Sequence, residues 1–384
     1  MLDHFISYGK QWIDDDDIKA VTETLKSDFL TQGPKLAEFE KAICDYTGAK
    51  YCVAVSNGTA ALHLAVLALD LPKGEGITTP NTFAASANCL LYAGLKPVFA
   101  DIKTDTYNID PAEITQKITK DTRVIVAVDF AGQAADMEDI YQMAQAKGIA
   151  VIEDAAHAIG SKYADGSLVG SCKYSDLTTF SFHPVKTITT GEGGAITTND
   201  EKLYQKLLLL RSHGITKDAA LLGQNPGPWY YEMQQIGFNY RLTDIQAALG
   251  ISQFKKLDRF VTRRREIVDQ YNTAFASNGL ITTPHEKAGL NSTFHLYVVK
   301  IDYAKLGKTR SEVMIELKNQ NIGTQVHYIP VHLLPYYQKQ FGYKTGDYPV
   351  AENYYDHCLS LPLYPKMTDE DVKLVIKTIN QTLS

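Results

Sequence analysis

A repeated alternation constrains this chain most: short β-type runs separated by stretches long enough for a helical crossover. The β-type runs are Tyr51 to Val55, Gly76 to Thr79, Pro97 to Ala100, Arg123 to Val128, Ile149 to Glu153, Leu177 to Phe182 and Ala195 to Thr198. Helical patterns intervene at Thr59 to Leu69, Phe83 to Tyr92, Met137 to Ala146 and Glu201 to Arg211. Parallel strands need such crossovers, and the crossover helices cover both faces of the sheet. An α/β fold with a mostly parallel central sheet is therefore expected over the first two thirds. Ahead of it, Ile18, Val21 and Leu25 recur at helical spacing behind the acidic run Asp14 to Asp17, whose carboxylates suit a helix N-terminus.

The texture changes downstream. A helical pattern from Thr243 to Phe275 carries adjacent charges at Arg263, Arg264, Arg265 and Glu266, and reads as a solvated connector. Strand-like runs follow at Thr293 to Ile301 and Gly323 to Tyr328. Helices are expected at Ser311 to Asn319, behind a capping box of Thr309 and Glu312, and at Asp369 to Thr382. The expected division is a large domain over 1–254 and a smaller α+β domain over 255–384. Segment 1–13 is expected to pack with the small domain or the substrate site.

Composition excludes several function classes. Lys and Arg number 38 against 44 Asp and Glu, a net charge of −6, which opposes electrostatic nucleic-acid binding. Five cysteines without a CxxC spacing make neither a disulfide framework nor a thiolate zinc site. No metal is expected, and a reducing cytoplasm suits the thiols. The longest apolar stretch, Ala60 to Leu69, is far shorter than the ~20 residues a membrane span needs. The N-terminus turns acidic where a signal peptide would be apolar.

Three motifs carry chemistry. Ser56-Asn57-Gly58-Thr59-Ala60 joins a β-run to a helix, so free backbone N–H groups and the Thr59 hydroxyl offer an anion site. Glu153-Asp154-Ala155-Ala156-His157 places a carboxylate at the C-terminal end of a β-run, the edge where open α/β sheets bind ligands. Lys186 follows another β-run and precedes the glycine cluster Gly191 to Gly194. Desolvation there would expose a neutral, nucleophilic amine. Taken singly, these are also a plain βα turn, a helix cap, a core histidine and a surface lysine. Together they supply what pyridoxal phosphate requires: a phosphate cradle, an acid for the ring nitrogen and a lysine for the aldehyde.

The chain resembles the DegT/DnrJ/StrS family of sugar aminotransferases, on the type I PLP-dependent transferase (aspartate aminotransferase-like) fold. The matching pieces are LTQGP from Leu30, NGTAALHLA from Asn57, EDAAHAIG from Glu153, SFHPVKTITTGEGG from Ser181, RSHGI from Arg211 and GFNYRLTDIQAALG from Gly237. The resemblance implies that Lys186 carries pyridoxal 5′-phosphate and shuttles the proton, and that Asp154 pairs with the pyridinium nitrogen. It places His157 near the ring hydroxyl and Phe83 against the ring, although another core aromatic would look the same. Gly58, Thr59, Ala60 and Ser181 are implied to bind phosphate. Asn239 is implied to reach the cofactor phosphate from a partner subunit, hence a homodimer with shared sites; from sequence alone it is an ordinary turn residue.

A finer resemblance, in ITTPNTFAASAN from Ile77, VDFAG from Val128 and QVHYIPVHLLPYY from Gln325, points to the branch serving pseudaminic acid biosynthesis. There the implied substrates are L-glutamate and a UDP-linked 4-keto-6-deoxy amino sugar. The implied substrate contacts are Tyr8, Asp28, Phe29, Leu30, Thr31, Gly58, Ser181, Asn239, Val326, His327, Tyr328 and Ile329. His327 and Tyr328 would alternate along a strand, so one of the two is expected to face the site. Lys35 and Arg241 are candidates for neutralising the diphosphate. The competing readings are a sister enzyme acting on another nucleotide 4-keto sugar or 4-keto-pentose, a sugar dehydratase with histidine in place of the lysine, and a regulatory protein. Lys186 opposes the dehydratase, and the charge opposes a DNA-binding regulator.

Overall fold

The computed structural model describes residues 4–384. Helix α1, Asp15–Leu25, starts at a capping box in which Asp14 and Asp17 each accept the other's backbone N–H. Helix α2, Pro34–Thr47, begins on proline and stops at Gly48, whose φ of 81° suits glycine. Strand β1, Tyr51–Val55, leads through an Asn57 cap into α3, Gly58–Ala68. Then come β2, Glu75–Thr78; α4, Ala85–Tyr92; β3, Lys96–Phe99; α5, Pro111–Lys117; β4, Thr122–Val128; α6, Met137–Gln145; and β5, Ala150–Asp154. Strands β6, Leu177–Ser181, and β7, Gly194–Thr198, and helix α7, Glu201–Arg211, complete this part.

These strands form one seven-stranded sheet in the order β1-β7-β6-β5-β4-β2-β3. Strand β7 runs antiparallel to both neighbours, and the other pairings are parallel. Both faces are buried. Cys52, Ala54, Ile125 and Val151 pack with Leu36, Phe39 and Ile140 on one side. Val53, Val55, Val126 and Ile152 pack with Leu64, Leu90 and Leu207 on the other. Each fully buried aliphatic side chain contributes roughly 1.5–3 kcal/mol, so continuous apolar runs here are the signature of a two-sided sheet.

The remainder departs from expectation in four places. A short hairpin, β8 (Ile215–Thr216) with β9 (Glu232–Met233), precedes the pattern starting at Thr243. That pattern is two helices, α8 (Asp244–Phe254) and α9 (Leu257–Phe275), broken at Lys255 and Lys256. It is not a solvated connector. Leu257 and Phe260 enter the core under the large sheet, while Ile267, Val268 and Tyr271 enter a second core. Arg264 is buried, and its Nη1 donates to the carbonyls of His295 (3.2 Å) and Leu363 (3.0 Å). Burial pulls this guanidinium down to about 10. Pattern reading took a buried cation for a surface one.

The second departure concerns Thr293 to Ile301. Regular pairing begins only at Tyr297 in a three-stranded sheet of β10 (Ile281–Thr282), β11 (Tyr297–Ile301) and β12 (Cys358–Leu361). Before Tyr297, side chains satisfy the backbone: Ser161 Oγ accepts from Thr293 N, and Arg264 takes the carbonyls. Third, Gly323 to Tyr328 is not a strand; only Gln325 bridges to Ser360. Fourth, the apolar stripe of α1 faces outward, with Ile18 57% and Leu25 55% exposed. Asp17 is buried instead, accepting from Gln253 Nε2 at 2.7 Å and pairing with Lys256 at 3.0 Å.

Around the smaller sheet lie α10 (Tyr303–Leu306), α11 (Arg310–Asn319, with the Thr309 and Glu312 capping box), α12 (Pro335–Phe341), α13 (Pro349–His357) and α14 (Asp369–Thr382). The N-terminal segment crosses to this region. Ile6 N donates to Asn321 O, Gly323 N donates to Ile6 O, and Leu363 N donates to Tyr8 O. Ile6 is thereby fixed in the second core, and Tyr8 is held two residues on.

Candidate active site

A cavity of about 680 Å³ opens at the C-terminal ends of β5 and β6, against the turn after β1. Its floor is Asp154, the last residue of β5, which is 3% exposed. Ser86 Oγ donates to Oδ2 at 2.6 Å, and Ala156 N donates to Oδ1 at 3.2 Å. Burial pushes this carboxyl up, while Ser86, Ala156 and the nearby Lys186 oppose the push. The field of Lys186 thus favours the ionised form.

Lys186 sits on a turn just past β6, held by Lys186 N donating to His183 O at 2.9 Å. Among the described residues it has no ion-pair partner within reach. Burial pulls its ammonium down to about 8, and Asp154 holds it up only in part. A far larger fraction of the amine is therefore neutral near physiological pH than in an ordinary lysine, although the ammonium still predominates below pH 8.

The turn after β1 supplies the cradle. Asn57 Oδ1 caps α3 by accepting from Ala60 N at 2.8 Å. The neighbouring Gly58 and Thr59 line the cavity at the positive end of the helix. Only glycine fits at 58, because a Cβ there would lie 2.8 Å from Ser181 Cβ. A pyridoxal phosphate fits this set: backbone donors and the Ser181 hydroxyl for the phosphate, Asp154 for the ring nitrogen, Lys186 for the aldehyde.

Opposite the cradle stands a wall of neutral rings. His157 Nδ1 accepts from Ala131 N at 3.3 Å, so the ring's proton belongs on Nε2, which lies 3.1 Å from the Tyr328 hydroxyl. Burial, then the charge on Lys186, holds His157 well below the usual histidine range. His327 Nδ1 shares a 2.7 Å hydrogen bond with Ser360 Oγ, and burial pulls its pKa to about 3. Tyr8 packs on His327 at 5.4 Å between ring centroids. Phe83 is 63% exposed at the cavity mouth, which separates it from an ordinary core aromatic.

The chain thus brings Tyr8, Gly58, Thr59, Ala60, Phe83, Asp154, His157, Ser181, Lys186, His327 and Tyr328 to one cavity. His327 and Tyr328 both face it, contrary to expectation, because their segment is not a strand and the two-residue period does not apply. Asp28, Phe29, Leu30, Thr31, Asn239, Val326 and Ile329 do not line it, nor do Lys35 and Arg241. Val326 packs on the core that holds Phe130 and Val331, and Ile329 is exposed to solvent. Of the others, Phe29 and Lys35 line a second cavity, Thr31 bridges Thr243, Asp244 N donates to Leu30 O, Arg241 bridges Val55 and Asn239 bridges Ser212. Sequence reasoning missed Ser86, which a helical step of three from Phe83 would have found, and His295. His295 lies 4.4 Å from His157 between ring centroids and sits in no motif.

The chain matches the DegT/DnrJ/EryC1/StrS aminotransferase family over residues 11–380. It is 46% identical to the spore coat polysaccharide biosynthesis protein SpsC of Bacillus subtilis over 378 residues, covering 98% of this chain and 96% of the other. It is 41% identical to the UDP-4-amino-4,6-dideoxy-N-acetyl-beta-L-altrosamine transaminase of Campylobacter jejuni over 377 residues, covering 97% and 96%. Among solved structures it is similar to Helicobacter pylori PseC, an aminotransferase involved in the biosynthesis of pseudoaminic acid. The TM-score there is 0.91, with 34% identity and 99% of each chain covered.

Proposed function

The chain belongs to the DegT/DnrJ/EryC1/StrS aminotransferase family, and from that premise we propose that it transfers the amino group of L-glutamate to C4 of UDP-2-acetamido-2,6-dideoxy-β-L-arabino-hex-4-ulose. The product is UDP-4-amino-4,6-dideoxy-N-acetyl-β-L-altrosamine, a step of pseudaminic acid biosynthesis. The coarser identity is firm: a sugar aminotransferase whose cofactor is pyridoxal 5′-phosphate. The observation that carries the reading is Lys186 and Asp154 in one cavity beside the Gly58 cradle.

When bound, the cofactor supplies a cationic ring that accommodates the electron pair released as a C–H bond breaks. Asp154 would hold the ring nitrogen protonated; an opposite charge within about 4–6 Å typically moves a pKa by about 1–3 units. Lys186 would hold the cofactor at its aldehyde carbon, and its Nζ, when free and neutral, would take the substrate's α-proton and deliver it to that cofactor carbon on the far side of the transferred nitrogen. Gly58, Thr59, Ala60 and Ser181 would bind the phosphate, and Phe83 at the cavity mouth would cover the ring. His157, whose Nε2 hydrogen-bonds the Tyr328 hydroxyl, would stand near the ring hydroxyl. Tyr8, His327 and Tyr328 orient the sugar in a partly water-excluded pocket, where neutral hydrogen bonds are strengthened.

Asp28 to Thr31 and Asn239, which do not line this chain's own cavity, complete the site of a partner in a two-fold homodimer. Exposed apolar side chains support this: Phe29 and Leu30 in that segment, and Trp229, Met233 and Ile236 in and just after the β8–β9 hairpin. A smaller C-terminal domain is supported by the separate core that runs from Ile267 onward and takes in Ile6, while Leu257 and Phe260 at the start of α9 still pack under the large sheet, so the division we propose over 1–254 and 255–384 falls within α8–α9. Five free thiols suit a cytoplasmic setting, and among the described residues no helix is long and apolar enough to cross a membrane.

The relative named for spore coat polysaccharide favours a second reading, amination of another nucleotide-linked 4-keto-6-deoxy sugar or of a UDP-4-keto-pentose. Kinetics with the C5-epimeric UDP-4-keto sugars separate the two. Strong preference for the β-L-arabino epimer is expected; comparable turnover of both epimers, or preference for the other, overturns the branch assignment.

A further inference from the structure

Outside the active site, one pair of nucleophilic side chains has no part in the chemistry above. Helix α2 runs antiparallel to the edge strand β1 and packs on the face of the sheet that carries Cys52 and Ala54. Two contacts fix the register. Glu40 Oε1 accepts from Ala54 N at 2.9 Å and from Arg211 Nη1 at 2.5 Å, and Arg211 Nη1 also donates to the Ala54 carbonyl at 2.9 Å. One turn on, Cys44 stands over Cys52, two residues back along the strand. Four helical residues rise about 6 Å and two strand residues about 6.6 Å, so the two steps match. Cys44 packs against the core cluster that contains Cys52, and the two thiols are close enough to influence each other's ionisation. Cys44 is partly open to solvent and Cys52 is 3% exposed.

We propose that Cys44 and Cys52 are an oxidation site, a dithiol that closes to a disulfide when the protein meets a peroxide. The Cys44 thiolate attacks one peroxide oxygen. The O–O bond breaks, hydroxide leaves and takes up a proton as water, and Cys44 becomes a sulfenic acid. The Cys52 sulfur then attacks the Cys44 sulfur, a second water leaves with the Cys52 proton, and the S–S bond forms. Two thiols and one hydrogen peroxide become one disulfide and two waters. The roles follow the environment. Cys44 has solvent access, and the neighbouring Cys52 thiol favours its thiolate, whereas burial pushes Cys52 up. The other three cysteines lack a thiol neighbour: Cys89 donates to Ser86 O, Cys172 meets Thr178 and Thr197, and Cys358 donates to Tyr355 O. The bond would clamp α2 to the strand that leads into the Gly58 cradle.

The test uses the cofactor-loaded, full-length protein and hydrogen peroxide. After oxidation, denaturation and alkylation, the intact mass should show two fewer adducts than the reduced control, and dithiothreitol should restore them. Tryptic mapping should join peptide 42–50 to peptide 51–73. In Cys52→Ala, Cys44 should stop at the sulfenic acid and be captured by dimedone. Unchanged alkylation, a Cys44–Cys44 link between chains, or peroxide-treated wild type carrying only sulfinic Cys44 overturns the proposal. Cys44→Ser, which leaves the buried Cys52 in place, should abolish the loss of adducts; persistence of the loss would equally overturn it. No outcome depends on which sugar the enzyme takes.

Discussion

Two cavities of equal volume, about 680 Å³ each, lie on this molecule, and they treat charge in opposite ways. The first holds Lys186 and Asp154 in a buried setting, where the lysine has lost water without gaining an ion pair. The second lies between α1, the start of α2 and α8, and its charges neutralise one another. Lys256 pairs with Asp14 and with Asp17, Lys35 with Glu38, and Arg259 with Asp14 at 3.7 Å. Asp244 there accepts the N–H groups of Gly33 (2.8 Å) and Lys35 (2.9 Å) at the start of α2. Capacity is the same, so volume does not mark the functional site. What marks it is desolvated charge left without a protein partner, held ready for one that arrives with the ligand.

If this contrast is right, equivalent substitutions in the two cavities should fail differently. The largest effect belongs to Lys186→Ala. Transamination of a UDP-4-keto sugar by glutamate should fall by at least about 10⁴-fold, the upper range for a positioned acid–base group, with little change in Tm. Next is the lysine of the other cavity. Lys256→Met strands buried Asp17 without its cation, which typically costs about 3–5 kcal/mol of stability. Urea unfolding should show that loss, while kcat at permissive temperature stays within about twofold of wild type. Matching losses of activity in both variants would erase the distinction.

A smaller effect sharpens it. Asp154→Asn should lower kcat by about 10–10³-fold, the equivalent of about 1–3 units of pKa at the ring nitrogen. The same pair predicts a pH dependence in cofactor-free protein. Only the neutral amine bonds the aldehyde, and the Lys186 ammonium is pulled down to about 8. The rate of cofactor capture should therefore rise about tenfold per pH unit below 8 and level off above it. Asp154 stabilises the ammonium, so Asp154→Asn should move that break to lower pH; a shift upward would reverse the assigned sign. The smallest effect is Tyr328→Phe, which removes the partner of His157 Nε2 and should raise KM for the sugar several-fold. An unchanged KM would take Tyr328 out of the sugar site.

Legibility in the sequence followed the same divide. The large sheet was readable because its strands are buried on both faces and carry unbroken apolar runs, and its ligand-binding edge followed from their direction. Lys186, Asp154 and Gly58 were readable because each sits where a strand ends. The wall opposite was not. The Gly323 to Tyr328 run alternates like a strand, yet its backbone makes one bridge, and both His327 and Tyr328 turn inward. His295 belongs to a stretch whose backbone is satisfied by Arg264 and Ser161, partners far away in the chain, and no local pattern announces that. Helix α1 misled for a related reason. Its apolar stripe is exposed in the single chain, while a buried carboxylate faces inward.

Borohydride reduction of the cofactor-loaded protein, followed by peptide mapping, tests the central claim most directly. A pyridoxyl phosphate adduct on Lys186, absent after prior incubation with L-glutamate, is the predicted result. An adduct on any other lysine, or full activity in protein with Lys186 unlabelled, would contradict it.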